Sequence, residues 1–421
     1  MTLRAVAAAG VALALALSGC SADTSIELDV PAQVEGSLPE ATVAELQSAV
    51  EAAMTATAST GAIVGVWAPW SGSWVTAFGT STPGGAAVTT DMEFRAGRIT
   101  RAMTCDVLYN VAATGAVSLD DSITEYVSGL PDLGDVTLEM LCDSTSGVGS
   151  YLGQLQKQWT TNPTRVWNAM ELAGYGLGQF GDTEPGAGYR DSDAGYLLLG
   201  IALERATRTS MADLMEQYIF EPLDMEATRL PGPAAGPASD ELPVLSGLHS
   251  IKNGEDGAMN CAEPLDLTVA SSSLAFTDSG VVTDVNDLAR YMQALGAQAL
   301  VPDGVDRFAD PVPTSNDASS WYTTIGGTVQ AGSLVGHFGA SLGYLTSAWV
   351  DPSTGMTVVA VLNNSAVGST AARNLGWQLA AIASKAPAAS GQTAPEAGLP
   401  FTAEQWGEAI TSRPLCPASE G

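Results

Sequence analysis

Five short segments, spread over roughly residues 90–377, constrain the fold of this chain more tightly than its composition does. The longest is Phe94 to Asp121, FRAGRITRAMTCDVLYNVAATGAVSLDD. From Thr100 it is helical in character. Arg101, Cys105, Leu108 and Ala112 fall at helical intervals, so one stripe leads from the start of the helix into a core. The others are Thr145-Ser146-Gly147, Gly195-Tyr196-Leu197-Leu198-Leu199-Gly200, Glu221-Pro222-Leu223-Asp224-Met225 with Thr228, and Gly336-His337-Phe338-Gly339 followed by Leu342-Gly343-Tyr344. Any one of them is a weak signal; five in one order are a specification.

The stretches between them supply ordinary building blocks. Ala41 to Ala56 places Val43, Leu46 and Val50 on one helical face. Gly61 to Ala68 and Ser73 to Gly79 are β-rich runs around a glycine-containing turn and predict a hairpin. Ser333 to Asn363 alternates glycine-rich turns with Thr346–Val350 and Met356–Leu362, which predicts two or three sheet strands. Pro231 to Pro243 is rich in proline, glycine and alanine and predicts an exposed loop rather than a domain boundary. After about Ser384 the composition shifts to alanine, proline, serine and glycine. That predicts a loose C-terminal tail over 385–421, with Trp406 and Cys416 placed to pin it.

At the other end, Arg4, the apolar run Ala5 to Leu17 and the sequence Leu17-Ser18-Gly19-Cys20 have the layout of an export leader ending at a cysteine. The run is too short to favour a spanning helix. It predicts a lipoprotein signal peptide over 1–19, lipid on Cys20, a polar tether over 20–40 and a folded domain over 41–384. The protein would then be exported and anchored to the outer face of the cytoplasmic membrane. A formal charge of -30 argues against nucleic acid or an anionic membrane surface as partner. Its plain consequence is solubility outside the cell. Four cysteines follow Cys20, namely Cys105, Cys142, Cys261 and Cys416, and an even number in an exported chain suggests disulfides. None has the spacing of a zinc site, and the histidines are only His249 and His337. Neither a metal nor a cofactor is expected.

The run from Phe94 resembles the opening of the class C β-lactamase and DD-peptidase-like (penicillin-binding) serine hydrolases. That family reads F-x-x-G-S-x-x-K here, then a helix, then G-x-L-x-L-D-D. The other segments match its T-S-G, with Ser144 where the family has histidine, its G-Y-x-L-L-G helix, its x-P-L-G-M-x-x-T segment, and its H-x-G strand with the turn after it. The resemblance implies an α/β fold: a β-lactamase/transpeptidase-like α/β/α sandwich, an antiparallel sheet flanked by helices, with an all-helical lobe closing a cleft. It also implies that the regions of Cys105 and Cys142 pack together, so those two are expected to pair. Cys261 is then expected on Cys416, fastening the tail.

Active members of the family set three elements in one cleft. A serine stands one helical turn before a lysine, which helps deprotonate it once desolvated. The second element, Y-x-N, relays protons and orients substrate. The third, H-x-G or K-T-G, lies on the strand along which the substrate's acyl-amide runs. Here the third survives as His337-x-Gly339 and the second in part, as Tyr189-Arg190-Asp191. The first is gone: the serine falls on Arg98 and the lysine on Arg101. A guanidinium neither attacks a carbonyl nor accepts a proton, its pKa lying above about 12. Thr100, Ser144, Ser146 and Ser192 lack a lysine or histidine at an activating spacing, and ordinary polar roles are expected for them. His337 itself can serve as a structural strand residue.

The asparagine position carries an acid, Asp191, in a cleft that has gained Arg98 and holds Arg101. Asp191 is therefore expected within salt-bridge distance of Arg98 or Arg101. Two uses fit: an ion pair that stabilises a dead cleft, or a pocket for an anionic or zwitterionic ligand such as a peptide carboxylate. The functional readings are three. The first is a non-catalytic envelope lipoprotein binding cell-wall or peptide-like ligands. The second is a hydrolase of β-lactamase, esterase or D-aminopeptidase type with an unrecognised nucleophile. The third is a purely structural envelope protein.

Overall fold

Alternation along the strands decides which side chains enter which layer. β1 (Gly61–Ala68) and β2 (Gly72–Gly79) form the expected hairpin, paired from Gly61–Gly79 to Ala68–Gly72. Gly72 has φ +142°, and a Cβ there would meet the backbone of Gly36 and Ser37 at 2.8 Å, so this turn requires glycine. In β1, Ala62, Val64, Val66 and Ala68 enter one core and Ile63 the other. That is the period of a strand buried on both faces.

The computed structural model describes residues 26–130, 133–180, 183–234, 243–253, 257–396 and 398–416. The expected leader and Cys20 lie outside the described residues, as do 235–242 of the Pro231–Pro243 loop. Further strands are β3 (Val312–Pro313), β4 (Tyr322–Ile325), β5 (Thr328–Ala331), β6 (Leu334–Ser341), β7 (Tyr344–Val350) and β8 (Thr357–Leu362). Among the described residues these eight make one antiparallel sheet in the order β2-β1-β8-β7-β6-β5-β4-β3. The stretch Ser333–Asn363 thus yields three strands. β5 pairs only with Leu334 to Gly336 of β6. From His337 onward β6 has, among the described residues, a strand neighbour on one side alone, β7.

The principal helices are α1 (Glu40–Thr57), α2 (Thr100–Ala113), α3 (Ala169–Leu177), α4 (Asp193–Thr207), α5 (Val285–Gly296), α6 (Ser369–Ala383) and α7 (Ala403–Thr411). Leu46 and Val50 of α1, Leu375 and Trp377 of α6 and Ile410 of α7 pack on one face of the sheet. The other face meets α2 and α5, behind which α3, α4 and shorter helices continue the same core as a helical lobe. α2 is buried from Thr100 to Tyr109, because it lies inside this core rather than on its surface. Both disulfides form, Cys105–Cys142 and Cys261–Cys416, with Cα atoms 5.6 Å and 6.5 Å apart.

Two expectations need correction. The described part of the 20–40 tether does not hang free: the Ile26 N–H donates to Pro222 O, the Val34 N–H to Pro69 O, and Leu38 is buried. The tail over 385–421 is not loose throughout. α7 sets Trp406 against Trp377, ring centroids 4.8 Å apart, Phe401 stacks on Trp377, and the Leu415 N–H donates to Ala56 O. Average composition hid this, because a few large anchors bury most of the apolar area in a segment otherwise made of small residues.

Candidate functional site: an ion-paired cleft

The chain enters the site through a short strand, Phe94–Arg95, paired with Val282–Thr283. Gly97, at φ +60°, then turns it into a single 3₁₀ turn, Gly97–Ile99, that runs on into α2. Arg98 therefore stands at the junction and Arg101 on the first turn of α2. Gly339 of β6 faces this junction. A Cβ there would lie 3.1–3.3 Å from Arg98 N, Cβ and Cγ, so strand and turn approach this closely only because the position is glycine.

Tyr189-Arg190-Asp191 arrives from the lobe, in the loop before α4. Ser192 ends that loop as the cap of α4, its Oγ accepting the Gly195 N–H and donating to Gly149 O. The Arg190 N–H donates to Ser144 O, and its guanidinium donates to Gly147 O and Gln179 O. The loop is thereby tied to the T-S-G turn, and the Asp191 carboxylate is delivered between two guanidinium groups. Its Oδ2 lies 2.9 Å from Arg98 Nη2 and its Oδ1 2.6 Å from Arg101 Nη1. On its far side, Arg101 Nε donates to Asp278 Oδ1 at 2.8 Å, and its guanidinium lies 4.8 Å from the ring of Tyr196. The chain of charges runs from depth to surface: Asp278 and Arg101 are 2% and 1% exposed, Arg98 21% and Asp191 36%.

Each charge sets its neighbours' protonation. Burial alone would raise the Asp191 pKa, but the Arg98 and Arg101 charges outweigh it and hold the carboxyl well below the usual carboxylate range. Burial would likewise lower that of Arg101, and Asp278 and Asp191 more than offset it. His337 is pushed down to about 3 by burial and by the two arginines, so its imidazole is neutral at ordinary pH, with Nδ1 accepting the Phe338 N–H. Burial and the Asp191 charge keep the Tyr189 phenol protonated. Asp193, buried beside Asp278 and accepting the N–H groups of Tyr151 and Leu152, is raised to about 7 by burial and by the Asp278 charge.

The structure thus brings together Arg98, Arg101, Tyr189, Asp191, His337 and Gly339, and adds two acids that the sequence reading missed, Asp278 and Asp193. No motif spacing marks either; the only hint was chemical, since a buried arginine needs acidic partners. The hydroxyls that were candidates for a replacement nucleophile are otherwise engaged. Thr100 Oγ1 accepts the Val281 N–H, Ser144 Oγ bonds to the Tyr196 hydroxyl, Ser146 Oγ accepts the Val148 N–H, and Ser192 caps α4. The cluster can hold charge and accept or donate hydrogen bonds. At Arg98 and Arg101 it presents neither a nucleophilic oxygen nor a proton acceptor.

The Beta-lactamase family model matches residues 46–382. Penicillin-binding protein 4* of Bacillus subtilis (strain 168) is 25% identical over 236 residues, 55% of this chain and 52% of its own; the chain spans about half the length of that curated relative. In fold it is similar to a D-stereospecific amidohydrolase from Streptomyces sp., with TM-score 0.68 and 21% identity over 79% of this chain and 98% of that one. It is similar too to the octameric penicillin-binding protein homologue of Pyrococcus abyssi, with TM-score 0.68 and 19% identity over 86% and 80%. These two likenesses bear on the fold alone. The family match, over most of the chain and through every element of the cleft, is another matter: the protein belongs to the beta-lactamase family.

Proposed function

We propose that this protein is a non-catalytic member of the family whose remodelled cleft holds a peptide-like ligand by a carboxylate, cell-wall peptide being the intended source. We further propose that it works outside the cytoplasmic membrane, fastened by lipid on Cys20. The observation that carries the first proposal is the pair Arg98 and Arg101 at the family's serine and lysine positions, both locked to Asp191. Losing one member of a nucleophile–base unit removes nearly all of its rate advantage, and here both are replaced. Two features support ligand binding over mere decay. Arg98, 21% exposed, meets Asp191 through Nη2, and the other N–H groups of its fork are donors on the solvent side of the cleft that suit a carboxylate. The free edge of β6 from His337 onward offers a strand along which a peptide can lie.

The rival reading, an active hydrolase, draws on the name of one fold neighbour, a D-stereospecific amidohydrolase. A purely structural role draws on the charge balance of the cluster, two arginines against Asp191 and Asp278. Incubation with a fluorescent penicillin and a chromogenic ester, followed by intact-mass measurement, separates catalysis from the rest. No adduct and no turnover are expected; a covalent adduct overturns the reading. Restoring Arg98→Ser with Arg101→Lys should still leave the protein silent, because Asp191 would hold the new lysine protonated. Adding Asp191→Asn should give the first detectable acylation.

A further inference from the structure

The charged side chains at the foot of the cleft do not balance when all are ionised. Arg98 and Arg101 are the cations, and Asp191 and Asp278 are each ion-paired to one or both of them. The remaining acid is Asp193, the first residue of α4, only 1% exposed. No arginine or lysine among the described residues forms an ion pair with it. Its two oxygens instead accept the backbone N–H groups of Tyr151 at 2.7 Å and Leu152 at 3.1 Å.

Each element packed around Asp193 brings a group that bears on its charge. The turn Phe276–Ser279 lies against α4, with Thr277 Oγ1 donating to Tyr196 O, and sets the Asp278 carboxylate beside it. α2 brings Arg101, whose Nε is already taken by Asp278 at 2.8 Å. Tyr151 brings a phenol that stays protonated and donates to Leu274 O. Its own loop carries Asp191, which faces Arg98, Arg101, Tyr189 and His337. A buried carboxylate beside a second one, with a single guanidinium to share, is costly, and a proton removes the cost. Burial first and the Asp278 charge second accordingly hold that proton on Asp193 up to about 7. The effect of losing it reaches the open end of the cleft through Arg101, which spans Asp278 and Asp191, and Asp191 in turn holds Arg98. A negative charge added at the buried end is felt along this line, because the dry interior screens poorly.

We propose that the proton on Asp193 gates the cleft: with it, Arg98 takes the carboxylate of a peptide; without it, the added charge loosens that hold. The device rests on the carboxylate-binding reading of the cleft for its ligand, and on the buried acids for its switching. Linkage runs both ways, so a bound carboxylate must draw a proton onto Asp193. Calorimetry on the full protein with acetyl-Ala-Ala tests it at about pH 5.5 and about pH 8.5, between which the peptide carboxyl stays ionised. Affinity should fall about tenfold over that range. Binding at neutral pH should take up protons, seen as a dependence of the heat on the buffer. Asp193→Asn should remove both effects. The rival titrating group is Asp143, just before the T-S-G turn, which burial raises to about 6. A pH dependence that survives in Asp193→Asn and is lost in Asp143→Asn overturns the proposal, as does an affinity that does not change with pH. The free protein gives a second readout. In carbon NMR the Asp193 carboxyl, assigned against Asp193→Asn, should titrate near neutrality, and the Arg101 Nε signal should move with it. A carboxyl that titrates below about pH 5 overturns the switch whether or not the peptide binds. A neutral titration with no peptide bound at either pH leaves the switch standing and overturns the carboxylate-binding reading.

Discussion

Two arginine–aspartate networks grow from α2, and they differ chiefly in their access to water. Deeper along the helix, Asp106 pairs with Arg307, the two being 0% and 1% exposed. The Tyr291 hydroxyl donates to the second Asp106 oxygen, and Arg307 Nη2 donates to Gly326 O and Ala102 O. Both charges of that network are sealed from water, although Arg307 Nε has no acceptor among the described residues. The Arg101 network starts almost as deep, at Asp278, but reaches solvent at Asp191 and Arg98. Cys105, bonded to Cys142, lies on the helix between the two. The same chemistry therefore acts as a buried fastener at one level and as a cleft floor one turn away, and exposure alone separates the two uses.

The sharpest way to break this contrast is to remove the sealed acid. Asp106→Ala strands a buried guanidinium and should cost about 3–5 kcal/mol in chemical denaturation; a loss below about 1 kcal/mol would mean that water reaches Arg307. The next effect is one of pH and belongs to the cleft side. Asp193, held near 7 against an unfolded value of about 3.9, binds its proton more tightly when folded. Its contribution is complete below about pH 4 and fades as pH rises through 7. Stability should fall on the order of 2 kcal/mol between pH 5 and 8, and Asp193→Asn, which keeps an acceptor for one of the Tyr151 and Leu152 N–H groups, should flatten that slope. An unchanged slope in the variant would assign the titration elsewhere. The smallest effect is expected for Asp191→Ala, about 1–2 kcal/mol, because Arg101 keeps Asp278 and Arg98 is reached by solvent. A loss as large as that of Asp106→Ala would erase the distinction between the networks.

Legibility in the sequence followed locality. The Gly61–Gly79 hairpin, α1, α2 and strands β6 to β8 each rest on periodicity within a few residues, and they stand where they were expected. Both disulfides and the approach of Asp191 to the two arginines depended on a family pattern that places distant segments together. What no pattern could supply were pairings between segments far apart in the chain and without a motif of their own: Arg101 with Asp278, 177 residues on, Asp106 with Arg307, 201 residues on, and His249 with Ser365, 116 residues on. A buried charge announces that it needs a partner but does not say where the partner lies. The tail was read as loose although Trp406 and Cys416 were named as its pins, and its docking was underestimated for the opposite reason. The unread part of the signal sat in Phe401, a single residue that a compositional reading averages away.

The ion-paired cleft also bears on how such a protein can change. Each single step from the present residues toward the family's serine, lysine and asparagine meets a penalty in this framework. Arg98→Ser leaves a hydroxyl beside a guanidinium that takes no proton. Arg101→Lys exchanges a planar fork that reaches both Asp191 and Asp278 for a compact ammonium that cannot span them in the same way. Asp191→Asn takes from Arg98 its carboxylate partner and leaves Arg101 with Asp278. Only the three replacements together restore the family's serine, lysine and asparagine. Asp191 therefore ties three positions into one unit: a change at Arg98, Arg101 or Asp191 alone leaves a charge or a donor of the other two unmatched, so the set is expected to vary together or not at all.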